Sequence, residues 1–488
     1  MTEKRYILNP KYVLRSEGNK VYILVDPHYQ MEATLSVIHP LYAMILSFFK
    51  GGELKETIQQ VCDFLQLSYD KVESMIVPIL DNDNIVERGL SAFSPHILIE
   101  YKEGMKIHTY QPTDFRYKDV DICVSRFQSP TDIICNITMK CATSCIYCYA
   151  NRKGHQNDIM PVELLERIMQ EAKEIGVLRF RLMGGEVLLY KDWKLILKKM
   201  SELGFQPNIS TKVPLTEEHL DAIQELELNK DPIQISLDTM VKDHLYRMLN
   251  VQDPYYERIK YAFKLLEDRG LKYVIHTVIT NVNDTLEDID SLIQFFKDKK
   301  GLEKWYLDTA KCSMYIGKDY KSYKSTTEKI DSIRQYLKEQ QDGNRFYCAL
   351  KLPTFIKDFN KVSLQEKKEL FDHRTMCSGN LNALYILPDG KVTICEELYW
   401  HPRFLLGDLK KQSIMEIWNS QKAKDLFFLR QDQIQASSPC KQCIDFTDCR
   451  KYKHVCWRDT ILAYGTDKWD YPDPSCPNAP FIEKDISL

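Results

Sequence analysis

No run of this 488-residue chain approaches the ~20 consecutive apolar residues that a membrane-spanning helix requires, so no membrane is expected as a partner. The opening residues, MTEKRYILNP, lack the apolar core of a signal peptide. An excess of one charge is also missing. The 66 Lys and Arg nearly cancel the 69 Asp and Glu, which gives no electrostatic reason to expect nucleic acid. Neither a short-period repeat nor a low-complexity segment interrupts the chain. These absences leave a soluble, cytoplasmic protein as the expectation, and the length predicts two or three domains rather than one core.

What the chain does have is cysteine. Fifteen are present, an odd number that a reducing compartment would not assemble into a disulfide framework, so metal or redox chemistry is the leading explanation. Four fall between Cys135 and Cys148, and seven between Cys377 and Cys476. Cys62, Cys123, Cys312 and Cys348 stand apart. For Cys62 and Cys123 the expectation is that of small buried hydrophobes.

Along the chain, YVLRSEGNKVYIL predicts two strands around Glu17-Gly18-Asn19. Three helical patterns follow: HPLYAMILSFFKGG, ending at Gly51-Gly52; LKETIQQVCDFLQL; and YDKVESMIVPILDNDNIVE, which leads into a short strand. That is the outline of a winged helix. The polar stretch YKEGMKIHTYQPTDFRYKDVD reads as a linker or cap. From Ile133 to about Ala310 the rhythm becomes strand–helix alternation, with TDIICNIT, VLRFRLMGG, FQPNISTK, DPIQISLD, LKYVIHTVIT and EKWYLDTA as strands. Repeated βα units imply a parallel sheet, fully or partly closed, with its chemistry at the carboxyl ends of the strands. KDYKSYKSTTEKIDSIRQYLKEQQDG predicts a charged surface helix. Beyond Cys377 the apolar periodicity thins and a staple other than hydrophobic burial is expected.

Cys141, Cys145 and Cys148, in CATSCIYC just after the first of these strands, are the strongest signal. Three thiolates in one loop can wrap a corner of an iron–sulfur cubane and leave one iron open; the alternative is a zinc site completed by His155. The spacing, with Tyr147 before the last cysteine, resembles the signature of radical S-adenosylmethionine (SAM) enzymes. The resemblance implies a [4Fe–4S] cluster whose open iron chelates SAM, and reductive cleavage to a 5′-deoxyadenosyl radical that abstracts a hydrogen atom from substrate. It also implies a glycine-rich SAM contact after the second strand. Gly184, Gly185 and Glu186 occupy that place, with Val187 where a proline is common. By the same resemblance Ser236 and Arg247 are expected to contact SAM, alongside Tyr147. Lys212 departs from the pattern, and Asp238 could simply pair with Arg247.

In LYILPDGKVTIC, Asp389-Gly390 is a turn between two β-rich runs that can place Cys395 on a rigid hairpin. With Cys377, Cys440, Cys443, Cys449, Cys456 and Cys476, this resembles the SPASM extension of peptide-modifying radical SAM enzymes. The likeness implies two auxiliary [4Fe–4S] clusters, three clusters in all. One would be held by Cys440, Cys443, Cys449 and Cys476, the other by Cys377, Cys395 and Cys456, with Cys348 a candidate fourth ligand. A zinc ribbon is the competing reading of Cys440 and Cys443. Glu396 stands where related sulfatase-maturing enzymes carry a catalytic aspartate and is the candidate base; the alternative is a surface carboxylate beside Glu397.

The first ninety residues resemble a PqqD-like peptide-recognition element, in which a leader peptide adds a strand at an edge, here expected at Lys20 to Val25, with Tyr69 to Leu80 as the other wall. Asp70, Glu73, Asp81 and Asp83 speak against DNA binding by that helix. Together these readings predict an α/β chain built on a partial (β/α)6 TIM-like barrel of radical SAM type. The expected boundaries are 1–95 for the winged-helix recognition module, 96–130 for a linker or cap, 131–340 for the core and 341–488 for the SPASM domain. The implied activity is maturation of a ribosomally made precursor peptide carrying a leader, with a thioether or carbon–carbon crosslink as the first expectation. Flavodoxin or ferredoxin is the expected electron donor. Formylglycine generation of the sulfatase-maturing kind, and a non-catalytic iron–sulfur or zinc protein, are the alternatives.

Overall fold

Every strand of the central βα alternation except the two-residue third forms over at least half of its predicted length, because β-branched and aromatic runs there find hydrogen-bonded neighbours. The structure is a computed structural model. It describes residues 4–29, 35–80, 93–150, 152–315, 320–340, 347–350, 359–374, 376–452 and 455–483, and only the backbone of 35, 347–350 and 451–452. The chain divides into two compact units, Met1–Gln128 and Ser129–Leu488. No helix among the described residues is long and apolar enough to cross a membrane.

The first unit contains β1 (Arg5–Leu8), β2 (Tyr12–Ser16), β3 (Val21–Val25), β4 (Leu35–Ile38), α1 (Pro40–Leu46), β5 (Lys50–Glu53), α2 (Leu54–Leu65), α3 (Tyr69–Leu80) and β6 (Leu98–Glu100). Strands β2, β3 and β4 form one antiparallel sheet, and β5, β1 and β6 another. The predicted edge at Lys20 to Val25 is corrected here. β3 is the middle strand, buried at all five positions, and β2 and β4 are the edges. β4 escaped detection because LSVI runs directly into the helical pattern that follows it. Gly51-Gly52 does not end a helix either: α1 stops at Leu46, and both glycines lie in β5. The polar stretch after β6 packs onto this unit, with Phe115 1% exposed and the Tyr110 hydroxyl accepting from Leu14 N at 2.9 Å. Asp81, Asp83 and the strand expected after α3 lie outside the described residues.

The second unit holds the parallel strands β7 (Asp132–Thr138), β8 (Arg179–Gly184), β9 (Ser210–Thr211), β10 (Ile233–Ser236), β11 (Tyr273–Ile279) and β12 (Leu302–Thr309). Between them run α4 (Val162–Glu174), α5 (Trp193–Glu202), α6 (Glu217–Glu225), α7 (Lys242–Leu249), α8 (Tyr255–Asp268) and α9 (Leu286–Phe296). Helix α4 shows why these helices cover the sheet: Leu165, Ile168, Met169 and Ala172 recur at helical spacing, and all are buried. The ladders run in two arcs, β7-β8 and β9-β10-β11-β12, with no hydrogen-bonded pairing between β8 and β9 among the described residues. β7 is buried at all seven positions, as expected for a parallel strand covered on both faces. β10 and β11 alternate buried with half-buried residues, and Ser236, His276 and Val278 of the half-buried set line the cavity described below.

Two strands from the C-terminal segment complete those arcs. β13 (Tyr347–Leu350) pairs parallel with β12, and β14 (Ala383–Ile386) pairs parallel with β7. Between them and after them lie α10 (Thr327–Gln340), α11 (Leu364–Asp372), β15 (Lys391–Thr393), β16 (Gly407–Asp408), α12 (Ile414–Trp418), α13 (Gln421–Phe427), α14 (Phe446–Tyr452) and α15 (Trp457–Tyr464). The predicted hairpin is present: β14 and β15 are antiparallel about Asp389-Gly390, and Gly390 takes φ 84, which a side chain would disfavour. The predicted surface helix starts later than expected. α10 begins at Thr327, and before it a short 3-10 turn buries Tyr320 and Tyr323 against Ala310.

Candidate active site

The loop leaving β7 carries the cysteine triplet and is tied down at both ends. Lys140 N donates to Thr138 Oγ1 (3.0 Å), while Ser144 N and Ile146 N donate to Leu249 O and Met248 O at the end of α7, each at 2.9 Å. The buried Thr143 hydroxyl lies 3.6 Å from Cys141 Sγ and 3.3 Å from Cys145 Sγ. The three cysteines line a cavity of about 420 Å³, which Gly184, Gly185 and Glu186 from the end of β8, Ser236 from β10 and Glu396 also border. The structure therefore brings these sequence-selected residues together. It does not bring Arg247 to them: that side chain is exposed on α7 and absent from the cavity wall.

The two glycines act on the loop more than on open space. A Cβ on Gly184 would stand 2.3 Å from Thr138 O, and one on Gly185 would stand 2.2 Å from Lys140 O. Their first task is thus to let the end of β8 touch the backbone from which the triplet departs. Glu186 anchors the next turn. Its buried carboxylate accepts from Leu188 N (3.2 Å) and Lys212 N (3.1 Å), joining the ends of β8 and β9, and burial pushes its pKa up.

Sequence reasoning missed Lys212. Asp238, buried at the end of β10, accepts from the Tyr147 hydroxyl (2.6 Å), Lys212 Nζ (3.0 Å) and Val278 N (3.0 Å). Its ion-pair partner is Lys212 and not Arg247, because Lys212 leaves β9 beside β10 whereas Arg247 lies on the outer face of α7. Burial pushes the Tyr147 hydroxyl well above its ordinary pKa, and the Asp238 charge adds to that rise. His155 is not among the residues lining this cavity; its Nδ1 pairs with Asp158 Oδ2 at 2.7 Å and its ring stacks on Trp400 with centroids 3.6 Å apart.

Glu396 is not a surface residue. It borders the same cavity, and burial followed by the neighbouring Glu397 charge raises its pKa against the opposing pull of Arg181 and the Tyr149 hydroxyl. Glu397 borders the cavity too, but its carboxylate is engaged by Arg458 Nε at 2.9 Å.

The C-terminal cysteines form two further gatherings. Cys440, Cys443, Cys449 and Cys476 line a second cavity of about 620 Å³. Cys377 and Cys395 are close enough to raise the Cys456 thiol electrostatically, on top of its burial. Cys348 lies on β13, but its side chain is outside the described residues. Among the described residues no three His, Cys, Asp or Glu side chains close on a single ion-sized point. A lone zinc would draw its ligands to within about 2.3 Å of one centre. The thiols line cavities with room for a polynuclear cluster. Burial raises the Cys145 thiol to about 11 and the Cys476 thiol to about 12, so both favour the neutral form until a metal group displaces the proton. The donor sets and cavities thus fit iron–sulfur clusters.

Comparison with known proteins agrees with this arrangement. Residues 135–296 match the radical SAM superfamily, and residues 377–444 match the SPASM iron–sulfur cluster-binding domain. The chain is 24% identical over 371 residues to the PqqA peptide cyclase of Bradyrhizobium diazoefficiens, covering 73% of this chain and 88% of that one. It is 25% identical over 265 residues to a probable GTP 3′,8-cyclase of Methanothermobacter thermautotrophicus, covering 53% and 82%. Its fold is similar to that of Streptococcus suis SuiB bound to S-adenosylmethionine, with a TM-score of 0.62 at 15% identity over 99% of this chain and 100% of that one. SuiB bound to its precursor peptide SuiA gives 0.60 at 13% identity, again over 99% and 100%.

Proposed function

We propose that this chain, a radical SAM enzyme whose radical SAM domain is followed by a SPASM domain, matures a ribosomally made precursor peptide by forming a thioether or carbon–carbon crosslink. The observation that carries the reading is the shared cavity, in which the triplet, the Gly184–Glu186 strand end and the Glu396 carboxylate face one another. Cys141, Cys145 and Cys148 would hold the cluster to which SAM binds, and that pair supplies the hydrogen-abstracting radical. Ser236 and Tyr147 would border the bound SAM, and Lys212 would hold Asp238 and Tyr147 in place. Glu396 would take the proton that the substrate releases on oxidation, with the Tyr149 hydroxyl aiming its carboxylate. Cys377, Cys395 and Cys456 would hold one auxiliary [4Fe–4S] cluster, and Cys440, Cys443, Cys449 and Cys476 the other, for three in all. A small soluble one-electron carrier of the flavodoxin or ferredoxin kind would supply the reducing electron.

The first unit is read as a PqqD-like, winged-helix module for the leader. Its two sheet edges, β2 and β4, offer main-chain groups to which an extended peptide could add a strand. Support comes from SuiB, a protein crystallised with a precursor peptide, whose fold resembles this chain over nearly its whole length.

The test is anaerobic reconstitution with measurement of iron, sulfide and 5′-deoxyadenosine after addition of SAM and dithionite. About twelve irons, with SAM cleavage lost when Cys141, Cys145 and Cys148 are all changed to Ala, is the expected result. Zinc in place of iron, or no cleavage by the reconstituted protein, would overturn the reading.

A further inference from the structure

The two C-terminal cysteine groups sit in opposite electrostatic surroundings. Around Cys377, Cys395 and Cys456 the close charges are mainly carboxylates. Asp459 stands in the first turn of the helix that Cys456 caps, and Glu396 and Glu397 directly follow Cys395. The cation there, Arg458, is engaged by Glu397 at 2.9 Å and Asp459 at 2.6 Å. A backbone N–H reaches a sulfur there, Glu397 N at 3.4 Å from Cys395 Sγ, whereas around the other four cysteines the approaching donors include charged guanidiniums. Arg374 Nη2 lies 3.5 Å from Cys449 Sγ, while Arg450 Nη2 and Asn478 Nδ2 lie 4.0 Å from Cys440 Sγ and Cys443 Sγ.

Arg450 is held for this position. It is 8% exposed, with Phe446 and Trp457 ring centroids 5.5 and 5.3 Å from its guanidinium, and its buried Nη1 has no hydrogen-bond partner among the described residues. A buried charged donor without an acceptor is costly unless an anionic group meets it. Asp372, Asp445 and Asp448 border the cavity from exposed positions, where water screens them, and Asp473 accepts from the Ser475 hydroxyl at 2.6 Å.

We propose that Arg450 and Arg374 set the reduction potential of the group held by Cys440, Cys443, Cys449 and Cys476, making it the more easily reduced of the two C-terminal groups. An electron that reaches the Cys377, Cys395 and Cys456 group then passes on to it. This rests on the reading of both sets as [4Fe–4S] sites. Reduction takes a cluster core from 2+ to 1+ by one electron, with no bond formed and no proton taken up. Guanidiniums beside the sulfurs stabilise the added negative charge, whereas nearby carboxylates oppose it. The transfer leaves the first cluster oxidised and the second reduced, so the electron balance closes within the protein.

The test is a potentiometric titration of the reconstituted full chain, followed by electron paramagnetic resonance, with Cys377→Ala and Cys443→Ala identifying the signals. Arg450→Leu and Arg374→Met should each move one midpoint, the one altered in Cys443→Ala, to more negative potential. Arg450→Lys, which keeps the charge, should restore most of the shift. Unmoved midpoints in an Arg450→Leu/Arg374→Met protein that retains about twelve irons would overturn the assignment. So would a wild-type midpoint for this group below that of the other. Should Arg450→Leu fail to fold, Arg374→Met and Arg450→Lys decide the matter by the same midpoint. Wild-type protein holding only about four irons would instead sink the cluster reading itself, a result separable by metal analysis alone.

Discussion

Glu396 and Glu397 are neighbours in sequence and both border the cavity, but Glu397 is paired with Arg458 whereas no ion pair to Glu396 is formed among the described residues. Because burial and the Glu397 charge raise the Glu396 pKa, its carboxylate is lost on acidification before an ordinary glutamate near 4.3 would be. Formation of modified peptide should therefore fall on the acid side with an apparent pKa above that value. Glu396→Gln should lose product while 5′-deoxyadenosine still forms; mass spectrometry of the precursor beside nucleoside quantitation reads both. Lys212 gives a second test at this scale. Lys212→Met leaves the buried Asp238 charge without its cation, a loss of roughly 3–5 kcal/mol for a pair of this kind. Urea denaturation should show the loss, and Asp238→Asn in the same chain should recover part of it. No periodicity announced this pair. Lys212 and Asp238 are distant in sequence, and only the adjacency of β9 and β10 joins them. Arg450 was more accessible to inspection, since it directly follows Cys449, yet its direction toward a thiol depends on the packing of Phe446 and Trp457.

Among elements, the strand–loop junctions carry the site. Strands β7, β8, β10, β11 and β12 were legible because β-branched and aromatic residues recur in short runs between helical patterns, and the triplet was legible because ligands to one cluster corner must lie close in sequence. β9 shrinks to two residues, and β4 hides against a helix start. Nor could local pattern reveal that β14 pairs with β7, since that contact joins segments on either side of the whole barrel. The β8 end yields the next prediction. In Gly185→Ala the new methyl group meets the Lys140 carbonyl, which is backbone and cannot rotate away. A cost of about 1–3 kcal/mol is expected, with the strain borne by the loop that holds Cys141. Iron content and SAM cleavage should fall together in this variant, while far-ultraviolet circular dichroism stays close to that of the wild type.

At the scale of the whole molecule, residues Ser129–Leu488 contain all the cysteines assigned to clusters, and Met1–Gln128 has its own buried core. A chain of residues 129–488 should accordingly cleave SAM after reconstitution but lose modification of a full-length precursor. Supplying residues 1–128 separately should restore modification in part if leader capture is their task. Equal processing of the precursor by the shortened chain would remove the recognition role from the first unit.

The pairing of β14 with β7 also fixes an order of events during synthesis. β7, the strand that launches the triplet, leaves the ribosome long before Ala383–Ile386 exist to cover its second edge. Until then a strand that is buried along its whole length in the finished fold carries unpaired main-chain groups, the kind of edge that seeks a partner in another chain. Nascent chains halted before residue 383 should aggregate with the triplet loop unformed. Iron loading of that loop is thus set to follow completion of the polypeptide rather than to accompany it.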